Sequence, residues 1–90
     1  MDTSFKQTLK AKAHHLSPVV MLGEKGLTPA VIDETNIALQ THELIKVKIN
    51  GAEKASRLDI ATNICQSLQA ELVQLIGNIA ILYRKNNEQH

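Results

Sequence analysis

Apolar residues at Phe5, Leu9, Ala13 and Leu16 recur at helical spacing and predict a helix over residues 4–15, with Lys6, Lys10 and His14 along a neighbouring edge. Ser17-Pro18 ends it, because proline disfavours helical geometry in the residue before it. Val19-Val20-Met21-Leu22 then reads as a short buried strand, and Gly23-Glu24-Lys25-Gly26 as the turn after it. Thr28 and Pro29 suit a helix N-cap and first turn, and Val31, Thr35, Ala38 and Leu39 mark one face of a second helix reaching about His42. Leu44 to Ile49 alternates strictly. Ile45, Val47 and Ile49 share one face of this strand, and Leu44, Lys46 and Lys48 the other. After the polar Asn50-Gly51, Ser56 and Asp59 resemble a capping box for a third helix carrying Leu58, Ala61, Ile64, Cys65 and Leu68. Two last strands, 72–76 and 79–84, flank the hairpin signal Gly77-Asn78.

The order α-β-α-β-α-β-β predicts a single α/β domain. Crossover helices imply parallel strands and the final hairpin an antiparallel pair, so the four-stranded sheet is expected to be mixed. The core spans residues 4–84, and 85–90 form a polar tail. Strands one and four are apolar on both faces. The first helix is therefore expected to cover part of the second sheet face and to leave the lysine strand nearer solvent.

Ninety residues with 43% hydrophobic and 21% charged content suit one soluble core, too small for a multidomain enzyme. A net charge of +1 gives no bulk attraction for a polyanion, so cations must act by placement. Phe5 and Tyr83 are the only aromatics, which argues against a reader built on base-stacking platforms. One cysteine, Cys65, permits no internal disulfide and leaves a zinc site short of sulfur. A reduced, cytoplasmic setting follows as the expectation. No apolar run resembles a secretory signal or a membrane span, and no membrane partner is expected.

The Gly23-Glu24-Lys25-Gly26 loop joins a strand to a helix N-terminus. Glycine admits close backbone approach, the helix end presents unpaired N–H groups, and Lys25 adds a cation, which together suit a phosphodiester. A plain strand-to-helix turn uses the same residues. The loop is neither a Walker A sequence nor a dinucleotide fingerprint. Lys46 and Lys48 have the same two readings, the wet side of a half-buried strand or a phosphate-contacting face.

A longer pattern bears on that choice. Val20-Met21-Leu22-Gly23-Glu24-Lys25-Gly26-Leu27-Thr28, His42-Glu43-Leu44-Ile45-Lys46-Val47-Lys48, Gln74-Leu75-Ile76-Gly77-Asn78 and Leu82-Tyr83-Arg84 together resemble the CRM domain, named for chloroplast RNA splicing and ribosome maturation. The chain looks most like its stand-alone bacterial members, from about Phe5 to Arg84. The resemblance implies a fold like the C-terminal domain of translation initiation factor three. It also implies binding to RNA, specifically ribosomal RNA in precursors of the large subunit. The family's RNA-contacting loop falls on Gly23, Glu24, Lys25 and Gly26. Its basic surface corresponds to Lys46 and Lys48 and, by proximity in the expected fold, to Lys6, Lys10 and Arg84. Glu24 departs from what a phosphate would favour.

No other chemistry assembles. Adjacent His14 and His15 point about 100° apart on a helix, and neither they nor His42 have a ligand partner at metal spacing. Cys65 sits at an apolar helical position, and Asp33 and Glu34 suit an early helical turn. The expected protein is a monomeric, non-catalytic RNA binder without cofactor, metal or small-molecule substrate. The alternative is a protein-interaction module docking on a ribosomal protein.

Overall fold

The computed structural model describes residues 2–86, so residues 87–90 of the expected tail lie outside the described residues. Along the chain run α1 (Thr3–Ala13), β1 (Val20–Leu22), α2 (Pro29–His42), β2 (Leu44–Ile49), α3 (Lys54–Leu68), β3 (Glu71–Ile76) and β4 (Ile79–Tyr83). The sheet order is β1-β2-β4-β3, with β1 parallel to β2 and β4 antiparallel to both β2 and β3. The expected mixed sheet is present. The crossover through α3 does carry β3 back in the direction of β2, but β4 is inserted between them.

Alternation along β2 divides the interior in two. Ile45, Val47 and Ile49 are fully buried with Val20, Leu22, Leu39, Ile64, Ala80 and Leu82 on the face covered by α2 and α3. Each large aliphatic side chain withdrawn from water there contributes roughly 1.5–3 kcal/mol. Across the sheet, Leu9 and Ala13 of α1 pack on Val73 and Ile81, with Leu44 and Tyr83 at the margin. The first helix therefore covers the second face, as its apolar stripe requires.

Local chemistry sets the boundaries. The Thr28 hydroxyl accepts the N–H of Val31 at 3.2 Å and caps α2, whose first residue is Pro29. α1 stops at Ala13, where the N–H of His14 is shared between the carbonyls of Lys10 and Ala11. β1 starts at Val20, one residue later than expected. The third helix corrects a firmer expectation: its N-cap is Glu53, with no side-chain cap bond, and Ser56 and Asp59 lie inside the helix. A Ser-x-x-Asp pattern on a solvent-facing first turn has no means of marking which turn is first. At the hairpin, Gly77 has φ +58° and Asn78 does not share the positive φ, the glycine-first requirement of a type II′ turn. Among the described residues no helix is long and apolar enough to cross a membrane.

Candidate nucleic-acid interface

β1 delivers the chain into Gly23–Gly26 at one end of the sheet. The N–H of Gly26 bonds the carbonyl of Gly23 at 3.0 Å, closing a β-turn with Glu24 and Lys25 exposed at its centre. Only the second glycine is in the left-handed region, at φ +68°. Glycine at 23 has neither reason: its φ is ordinary, and a Cβ there would meet nothing within 4 Å. The fold does not demand the bare backbone at that position. The amide groups of Glu24, Lys25, Leu27 and Thr28 have no acceptor among the described residues. They lie beside the α2 N-terminus, where the helix dipole favours negative charge.

Two other connections share this end. Ile49 donates its N–H to the carbonyl of Asn78 at 2.7 Å, and Asn50 to that of Leu22 at 3.2 Å. Asn78 Nδ2 donates to Asn50 Oδ1 at 3.2 Å. Arg57, which no sequence pattern singles out, fastens the group: Nε donates to Gly77 O at 2.9 Å and Nη1 to Ala52 O at 2.6 Å. Its partners lie in separate loops, and a lone arginine on a predicted helix carries no sign of them.

The register continues the surface onto the sheet. Met21, Lys48, Ile79 and Ile76 pair in one row across β1, β2, β4 and β3, next to the glycine turn and on the face opposite the main core. Lys46 lies one row further along β2, and its Nζ donates to Leu16 O at 3.0 Å. α1 covers this row, where Ile81 pairs with Lys46, and the Leu44–Tyr83 row beyond it. Its Phe5 meets Tyr83 edge-on at 5.3 Å, and Lys12 lines a cavity with His42 and Leu44, both at the far end of the sheet. At 3.6 residues per turn, Lys6 and Lys10 fall on the flank of α1 away from Lys12. Among the described residues, none of Lys6, Lys10, Lys25, Lys46 and Lys48 is ion-paired with a carboxylate.

Arg84 does not join them. It follows β4 at the far end, where Nη1 donates to Asn36 Oδ1 at 2.8 Å and Leu68 O at 3.0 Å, and Nη2 to Asn36 O at 3.2 Å. The guanidinium ties α2, α3 and β4 together. Cys65 is equally remote from ligand chemistry. Burial, reinforced by the charge of Glu71, pushes its thiol up to about 11 and keeps it protonated. Among the described residues no group of three or more His, Cys, Asp or Glu could hold a metal ion.

Comparison with known proteins gives this arrangement a context. A protein of Haemophilus influenzae named "RNA-binding protein" is 49% identical over 88 residues, covering 98% of this chain and 89% of the relative. A Bacillus subtilis relative, named "Probable RNA-binding protein YqeI", is 35% identical over 83 residues, covering 92% of this chain and 86% of its own. The solution structure of a hypothetical protein from Staphylococcus aureus superposes with a TM-score of 0.86 at 27% identity, covering 100% of this chain and 94% of that one. The family model for the CRS1 / YhbY (CRM) domain matches residues 1–84. By that match and these identities, the chain belongs to the CRS1 / YhbY (CRM) domain family.

Proposed function

We propose that this protein is a non-catalytic RNA-binding protein that recognises ribosomal RNA in precursors of the large ribosomal subunit, acting as a cytoplasmic assembly factor. Its relatives' names supply the ligand class, and the CRM resemblance supplies the ribosomal setting. The observation that carries the reading is the Gly23–Gly26 turn, whose Glu24 and Lys25 amides have no acceptor among the described residues and whose exposed Lys25 adjoins the row that holds Lys48. Loop amides and Lys25 hold one phosphate while the strand lysines and the Lys6–Lys10 flank meet its neighbours. Backbone shape then provides most of the selectivity. Glu24 is exposed at the turn.

A salt titration of RNA affinity tests this. Log affinity should fall linearly with log salt, and Lys46→Ala with Lys48→Ala should make the slope shallower by roughly one for each phosphate freed from its lysine. Lys25→Ala should weaken binding about tenfold without changing the melting temperature, the effect expected of removing a charge-assisted hydrogen bond. A flat salt response would overturn the phosphate model. Crosslinking in cells should place the protein on large-subunit ribosomal RNA; reads spread evenly over all RNA would remove the ribosomal assignment.

A further inference from the structure

The row Met21–Lys48–Ile79–Ile76 is an unusual strip for the wet face of a sheet. Met21 is 58% exposed and Ile76 55%, Ile79 is half-buried, and α1 does not cover any of them. Four adjacent strands make the strip roughly 14 Å long at the usual strand spacing. One end of it adjoins the glycine turn, because Met21 is two residues from Gly23. Lys48 stands in the middle without a carboxylate partner among the described residues.

An occupant must offer apolar surface to both ends of the strip and negative charge to its centre. An apolar protein face would bury the Lys48 ammonium without compensation, which is costly. A fully paired RNA helix presents phosphates and hydroxyls and leaves the apolar ends uncovered. Unpaired nucleotides present both, since their base faces are free and each step carries a phosphate. We infer that the Met21–Lys48–Ile79–Ile76 row receives unpaired nucleotides of the bound RNA, bases on the aliphatic side chains and a phosphate on Lys48. This rests on the RNA reading above and narrows it: the ligand is structured RNA opened at the site by a bulge or internal loop. Aliphatic contact substitutes here for the aromatic platforms the sequence lacks.

The test compares two probes, a fully paired RNA hairpin and a pool of the same hairpin with a randomised internal loop. Wild-type protein should bind the looped pool at least several-fold more tightly. Met21→Ser and Ile76→Ser, both at exposed positions and verified as folded by melting, should each remove most of that preference. Their affinity for the paired hairpin should be unchanged. Lys25→Ala should weaken both probes alike. Equal wild-type affinity for the two probes overturns the inference while leaving RNA binding intact. Preference retained by both serine variants also overturns it and assigns the strip to a protein partner. Failure of the wild type to bind either probe would instead remove the RNA reading on which the inference stands.

Discussion

The two ends of the sheet use cationic side chains in opposite ways. At the Arg84 end the guanidinium reaches three acceptors on α2 and α3, and the backbone N–H of Arg84 is bonded to Glu43 O at 2.9 Å. At the glycine-loop end Lys25 and Lys48 have no such partners among the described residues, and the turn amides are open there. Both regions are basic in sequence. What separates them is satisfaction: a guanidinium whose donors reach three acceptors inside the fold is structural, a lysine beside open amides is available to a ligand, and Lys46, with one bond to Leu16 O, keeps further donors free for one.

Arg84→Ala should produce the largest effect, and on stability alone. Removing three hydrogen bonds from a charged donor, and leaving the Asn36 and Leu68 acceptors behind, should cost about 2–3 kcal/mol. For a domain of this size that lowers the melting temperature by about 10 °C or more. RNA affinity measured well below the transition should stay at the wild-type value; a drop there would break the contrast between the ends.

Within the turn itself the two glycines should separate. Gly26→Ala forces a side chain into the left-handed region and should cost about 1 kcal/mol of stability. Gly23→Ala meets neither strain nor contact in the protein, so its melting curve should match wild type while RNA affinity falls. Unchanged affinity would show that no phosphate comes close to that backbone.

The smallest effect at neutral pH concerns Cys65, on the Arg84 side. Its folded pKa is raised from 9.0 to about 11, so the folded state keeps a proton that the unfolded state releases. Stability from this group is full below pH 9 and is lost as pH rises toward 11. Denaturant titrations should show the loss in wild type and a weaker pH dependence in Cys65→Ala. An identical dependence in the two would rule out the thiol as its source.

Much of this is legible from the residues. Leu44–Ile49 alternates so strictly that β2 is readable to the residue, and Thr28-Pro29 places the start of α2. Both signals are local, made within one turn or one pleat. The α3 boundary is easily misplaced because Ser56 and Asp59 make a plausible cap on any exposed turn, while Glu53 caps without a side-chain bond. Arg84 and Arg57 are opaque for another reason. Arg84 bonds residues 48 and 16 positions away, and Arg57 reaches Gly77 across 20. The row beside the glycine turn is equally hidden, because it exists only once β4 is known to lie between β2 and β3. The five lysines can be named from sequence, but which side of the sheet Lys6 and Lys10 reach depends on how α1 crosses it.

The Phe5–Tyr83 contact has a practical corollary. The chain contains one tyrosine and no tryptophan, so its near-ultraviolet signal comes almost wholly from a ring pressed edge-on against the first turns of α1. Intrinsic tyrosine fluorescence is thus a built-in gauge of whether that helix is seated. It can be followed without a label and from the side of the sheet away from the glycine turn.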